Sequence, residues 1–308
     1  MSALAGRIRR GDPRALARGL TLIENRAPEA DSLLVDLHRP GSVALRIGIT
    51  GAPGVGKSTL VDGIAAEMRR EGAEVAILAV DPSSPFSGGA VLGDRVRMQR
   101  HHADRGVFIR SMASRGELGG LAPTVSDALT LLEASGRDAV LIETAGVGQS
   151  EIDVMQVAGT VAVVLTPATG DDIQAAKAGI MEIADLFVIN KADQPGADEL
   201  ERQLLAMISL TPRGRPKPPV LRTSAIRCEG VGELVAALRT AESRRPGADY
   251  WKRLLRGRIG GEFRGMLAAG LVPGLDLDAA AEAVAAGSLN PYAYARQVLE
   301  QLRQEWNR

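Results

Sequence analysis

The chain has 308 residues, 45% of them apolar, with 37 Lys plus Arg balancing 37 Asp plus Glu at a formal net charge of zero. That balance argues against nucleic-acid and anionic-membrane partners, and 3% aromatic residues leave few stacking platforms for single strands. The single cysteine, Cys228, excludes an intramolecular disulfide or a thiolate metal cluster.

The N-terminal stretch "MSALAGRIRRGDPRALARGL" has no apolar run of the secretory kind, and no segment approaches a membrane span. A cytoplasmic protein is expected. An Arg-rich, acid-poor N-terminus also fits a transit peptide, but Asp12-Pro13 opening ordinary helical patterning argues against one. In "DPRALARGLTLIE", Asp12 is placed as an N-cap and Pro13 at the first helical position, with apolar residues at helical spacing. His38 to Gly41 break that pattern.

Short apolar runs then alternate with longer helical ones. The runs are 44–50, 75–80, 107–110, 139–144, 161–166, 186–190 and 219–224. Most are apolar at successive positions, as strands covered on both faces must be. Helical segments between them imply right-handed βαβ crossovers. The expected fold is α/β, a mainly parallel P-loop NTPase sheet of about seven strands flanked by helices, with helical N- and C-terminal extensions. The expected boundaries are an N-terminal helical extension over 1–40, a nucleotide-binding domain over 41–245 and a C-terminal helical arm over 246–308.

Gly51-Ala52-Pro53-Gly54-Val55-Gly56-Lys57-Ser58-Thr59 contains G-x-x-x-x-G-K-[ST] between a predicted strand and a predicted helix, the context the motif needs. Backbone N–H groups and a helix N-terminus can surround phosphate oxygens there. Lys57 can reach the β- and γ-phosphates, and the Ser58 hydroxyl can ligate Mg²⁺. Asp81, Asp94 and Glu143 stand at or beyond predicted strand ends, which makes them candidates for arranging metal and water; each alone would pass as a helix cap or loop acid. In "ETAGVG", Gly146 can approach a γ-phosphate through its N–H, while Val147 follows where many GTPases have Gln. Gln149 therefore inherits no role.

Asn190-Lys191-x-Asp193 follows another strand. A carboxylate there can accept from the N1–H and exocyclic amine of guanine, a donor pair that adenine lacks. Thr223-Ser224-Ala225, after the next strand, suits a second loop supporting the base. With the phosphate motif upstream, the expected ligands are GTP and GDP with Mg²⁺.

Together "GITGAPGVGKSTLVD", "AVDPSSPFSGGAVLGDRVRM", "ETAGVGQSE", "AGIMEIADLFVINKAD" and "TSA" resemble the ArgK/MeaB family of P-loop GTPases. The resemblance is strong over roughly 40–245 and looser at both ends. It implies a GTP-dependent chaperone that gates adenosylcobalamin loading and protects a cobalamin-dependent acyl-CoA mutase, with methylmalonyl-CoA mutase favoured over isobutyryl-CoA or ethylmalonyl-CoA mutase. It also implies a homodimer joined largely by C-terminal helices, switch loops around Asp94 and Glu143, and a partner-facing segment over 166–177. Lys177 matches a lysine of that segment, although it reads equally as a solvated helix residue.

Ala145 replaces a common Val, Glu117 replaces a frequent His, and Ala52 stands where some related GTPases carry a lysine that reaches across a dimer. Arg95 and Arg97 are weak candidates for an arginine finger, so slow intrinsic turnover is expected. A nickel or zinc metallochaperone would need a Cys- or His-rich motif near the cradle. The only adjacent histidines are His101-His102, and these are expected on a solvated helix. A kinase would need an acceptor site, and none is legible.

Overall fold

The computed structural model describes residues 3–38, 44–82, 101, 104–114, 122–144, 157–167, 184–209 and 217–241, and beyond them 259, 260, 263, 266, 275–286, 288–290, 294, 297 and 298. The chain divides into two compact units, Met1–Trp251 and Lys252–Arg308.

The first unit is built on strands β1 (Leu45–Thr50), β2 (Val75–Pro82), β3 (Val107–Ser114), β4 (Ala139–Thr144), β5 (Thr160–Leu165), β6 (Leu186–Ile189) and β7 (Val220–Arg222). They form a seven-stranded sheet in the order β3-β2-β4-β1-β5-β6-β7. Every pairing is parallel. Each predicted run is a strand, with boundaries shifted at the edges. β3 continues past Arg110 to Ser114 because it pairs with β2 along its length, from Val75 opposite Val107 to Pro82 opposite Ser114. As an edge strand it carries half-buried Arg110 and Ser111, which hide it from an apolar-run reading.

Side chains alternate between the two sheet faces. Ile47, Ile49, Ile77, Leu141, Val164 and Val188 share one core with helix α4 (Lys57–Arg70) and helix α7 (Val231–Ala241). Leu78, Val140, Ile142, Val163, Phe187 and Ile189 belong to the other core. That face is covered by α1 (Ala3–Arg9), α2 (Pro13–Glu24), α3 (Glu29–Leu37), α5 (Ala122–Ala134) and α6 (Ala197–Ser209). Both faces are covered, which explains why the strands read as continuous apolar runs.

The N-terminal helices thus share a core with the sheet. In α2 the Asp12 carboxylate accepts from the backbone N–H groups of Arg14 at 2.9 Å and Ala15 at 3.1 Å, as its sequence predicts. A cap of this kind contributes about 1 kcal/mol. Leu16, Leu20 and Ile23 then fall on one face and are buried, each full burial contributing about 1.5–3 kcal/mol. Two ion pairs tie this layer to the strands, Arg110 with Glu24 of α2 and Arg46 with Glu133 of α5.

Within the second unit, helix α8 (Leu277–Ala285) opens on Asp276, whose carboxylate accepts from the Ala279 N–H at 2.9 Å. Among the described residues no helix is long and apolar enough to cross a membrane.

Strand order places the functional end. From β1 the chain runs to β2 and β3 on one side, and after β4 it crosses to β5 and β6 on the other. The carboxyl end of β1 is therefore a topological switch point, where open parallel sheets bind ligands.

Candidate nucleotide site

β1 ends at Thr50 and α4 starts at Lys57, so the glycine-rich segment is the turn between them. Gly51 has φ +146°, and a Cβ there would lie 2.2 Å from the Val164 carbonyl oxygen of β5. No side chain fits between loop and strand. Gly56 has φ +92°, and a Cβ there would meet the Asn190 amide nitrogen at 2.5 Å. The cradle is pressed against a neighbouring strand on one side and the loop after β6 on the other.

Lys57 is buried, 5% exposed. Its ammonium donates to the carbonyls of Gly51 at 2.6 Å and Ala52 at 2.9 Å. The side chain is folded over its own loop. The Ser58 hydroxyl donates to Glu143 Oε1 at 2.6 Å, joining the first turn of α4 to the end of β4. Glu143 is itself buried. The strand register accounts for the meeting, because Ile49 lies opposite Glu143 in the β1–β4 pair. One position on, the Thr144 hydroxyl donates to the Thr50 hydroxyl at 3.2 Å. A hydroxyl and a carboxylate side by side at a helix N-terminus form a hard oxygen donor set of the kind Mg²⁺ takes, so the residues present fit that ion.

On the base side, Asn190 is buried and works as a cross-link. Its amide nitrogen donates to the Val55 carbonyl at 2.9 Å. Its oxygen accepts from the Ala225 N–H at 3.1 Å and the Thr223 hydroxyl at 3.2 Å. Lys191 adopts a left-handed backbone, φ +55°, and its ammonium donates to the Gly54 carbonyl at 2.9 Å. The loops after β1, β6 and β7 are thereby locked into one body. Asp193 is the most accessible member. The Ser224 hydroxyl, donating to its carboxylate, holds its pKa below the ordinary aspartate value; its own backbone N–H and the Arg227 guanidinium act in the same direction, with slight burial opposing them.

The structure brings together Gly51, Ala52, Pro53, Gly54, Val55, Gly56, Lys57, Ser58 and Thr59 with Glu143, Asn190, Lys191, Asp193, Ser224 and Ala225 at this end of the sheet. Asp81 is the penultimate residue of β2, its backbone opposite Ala113. Asp94, Gly146 and Lys177 lie outside the described residues, as do Arg95, Arg97 and Glu117.

Sequence reasoning misplaced one residue. His101 is buried rather than solvated. Its Nε2 lies 3.1 Å from Asp62 Oδ1 on α4, a partner far away in sequence and hence invisible to local pattern. It also missed Arg227, which pairs with Asp193 at 3.5 Å and belongs to no motif.

Residues 16–250 match the model of the family described as methylmalonyl-CoA mutase-associated GTPase MeaB. The chain belongs to the MeaB family of GTPases. Among its relatives, a Pyrococcus abyssi protein provisionally named a GTPase is 42% identical over 311 residues, spanning 97% of this chain and 96% of the relative. The mitochondrial methylmalonic aciduria type A homolog of Caenorhabditis elegans is 36% identical over 248 residues, spanning 74% of this chain and 62% of that protein. Among solved structures, a LAO/AO transport system kinase superposes with a TM-score of 0.66 at 27% identity, covering 97% of this chain and 96% of the other. The MeaB-family assignment makes this chain a P-loop GTPase that binds GTP and GDP. It agrees with the parallel sheet and with the guanine-type motif read in the sequence.

Proposed function

We propose that this GTPase is a chaperone of an adenosylcobalamin-dependent acyl-CoA mutase, most simply methylmalonyl-CoA mutase, gating cofactor loading and protecting the mutase. The observation that carries this reading is the family match over 16–250, whose description names association with that mutase. The C. elegans relative bears a name from the same metabolic territory. A cytoplasmic homodimer, joined through the helical arm of 246–308, completes the proposal, with the nucleotide-binding domain over 41–245 behind a helical N-terminal segment, 1–40.

In this reading the chemistry is hydrolysis of GTP to GDP and phosphate by positioning and charge stabilisation. The cradle of Gly51 to Thr59 holds the phosphates by backbone N–H groups. The Lys57 ammonium exchanges the Gly51 and Ala52 carbonyls for phosphate oxygens, so a buried charge moves from one set of acceptors to another without first being exposed. The Ser58 hydroxyl turns away from Glu143, which frees both oxygens toward the nucleotide. Ser58, Glu143, Asp81 and Asp94 would hold Mg²⁺, which when bound supplies charge neutralisation across the β- and γ-phosphates. Glu143 and Asp94 also orient the attacking water, and the Gly146 N–H senses the γ-phosphate. Asn190, Lys191, Asp193, Ser224 and Ala225 form the guanine pocket. Lys177 lies in the segment that meets the mutase and relays its presence to the catalytic end.

The switch logic follows. A site whose Lys57 and Ser58 are engaged with the protein itself must be reorganised by ligand, and a partner that stabilises the reorganised state accelerates turnover. The test is to mix the chain with methylmalonyl-CoA mutase and a non-hydrolysable GTP analogue, follow co-elution, and measure GTP turnover with and without the mutase. A stable complex and a raised turnover are expected. Separate elution together with an unchanged rate would contradict the proposal.

A further inference from the structure

We infer that Arg227 is a positioning residue for guanine specificity, holding the Asp193 carboxylate in the one orientation that accepts both the N1–H and the 2-amine of the base. This rests on the reading of Asp193 as the guanine contact. An aspartate carboxylate turns readily about its terminal torsion. Asp193 is also partly open to solvent, with 26% of its side chain exposed, so two-point recognition needs the group pinned from behind. One partner does this from the loop after β7: an Arg227 guanidinium nitrogen stands 3.5 Å from Oδ2, and Ser224 of the same loop helps to hold the carboxylate's pKa below the ordinary aspartate value.

The loop is built to present Arg227. Ser224 and Glu229 face each other across an antiparallel bridge, with the Ser224 N–H donating to the Glu229 carbonyl at 3.0 Å and the Glu229 N–H returning to the Ser224 carbonyl at 3.2 Å. Inside that closed turn the Arg227 N–H donates to the Ser224 carbonyl at 3.0 Å. Cys228 takes a left-handed backbone, φ +57°, a conformation rare for a side chain of its kind. The same loop donates the Ala225 N–H to Asn190, the residue that grips the phosphate cradle. Arg227 therefore sits on a scaffold fixed relative to both ends of the nucleotide. Its side chain is 59% exposed.

The test measures GTP, ITP and XTP affinities for the wild type, Arg227→Ala, Arg227→Lys and Asp193→Asn, with thermal melts confirming the fold. Inosine lacks the 2-amine, so only GTP gains from two-point alignment. Arg227→Ala is expected to weaken GTP about two- to fivefold, the range of an exposed charge pair, while leaving ITP nearly unchanged; Arg227→Lys should restore part of the preference. Equal loss for GTP and ITP, or no loss for either, would overturn the assignment. Asp193→Asn replaces an acceptor by a donor and should move preference from GTP to XTP, whose C2 carbonyl accepts. If that variant still prefers GTP, the base reading fails and Arg227 with it. If it switches while Arg227→Ala keeps the wild-type GTP-to-ITP ratio, only the Arg227 role is lost.

Discussion

Replacing Asp193 by alanine is expected to lower GTP affinity by about 10- to 150-fold, with ATP affinity unchanged. Hydrogen bonds to a charged group contribute about 1.5–3 kcal/mol, and each 1.4 kcal/mol is about a factor of ten in a dissociation constant. The carboxylate supplies no internal support to the sheet. It lies on the accessible side of a loop whose rigidity comes from Asn190 and from the Ala192 N–H donating to the Thr223 carbonyl at 3.0 Å. The variant should therefore fold as the wild type does, and the loss should be confined to guanine nucleotides. Calorimetric titration of GTP and ATP into both proteins checks this. Unchanged GTP affinity would remove Asp193 from the base pocket.

Lys57→Ala carries the second large effect. Truncation is expected to reduce the single-turnover hydrolysis rate by about 10²–10³-fold, the usual consequence of deleting one preorganised charge stabiliser. The buried position of Lys57 is the reason for the size of the effect. An ammonium already held in a water-poor cleft, bonded to the Gly51 and Ala52 carbonyls, exchanges those acceptors for phosphate oxygens and then acts on them with little screening. Rapid-quench assays at saturating GTP separate this from weakened binding. A rate within a few fold of the wild type would show that the ammonium plays no part in the transition state.

Much of the fold is legible in the sequence. Stretches such as 139–142 and 161–165 are apolar at every step because helices cover both sheet faces, so their pattern identifies them as interior strands. Asp12 and Pro13 announce α2 because capping is a local interaction, settled within a few residues. The phosphate cradle is legible for a similar reason, since a turn that excludes side chains at Gly51 must be written as glycine.

What sequence does not carry is pairing between distant residues. Glu143 meets Ser58 through the register of β1 with β4, and Asn190 reaches Val55 across two loops. The motif residues were recognisable by type, but Asn190's work as a structural cross-link was not. His101 reads as surface because its partner, Asp62, lies on a different element. Arg227 lacks any signal at all, because an arginine near a turn is ordinary until its guanidinium is found beside Asp193. The N-terminal helices look like an appendage in sequence and prove to share the sheet's core, since amphipathic spacing reveals a buried face but not what buries it.

The most direct measurement compares steady-state hydrolysis of GTP and ATP by the same wild-type preparation, each supplied with Mg²⁺ at equal concentration. If Asn190, Lys191 and Asp193 read the base while Lys57 and Ser58 serve any triphosphate, GTP is hydrolysed and ATP is not taken up at matching concentrations. Equal turnover of the two nucleotides would show that the pocket behind Asp193 does not discriminate the base, and would contradict the assignment of the site.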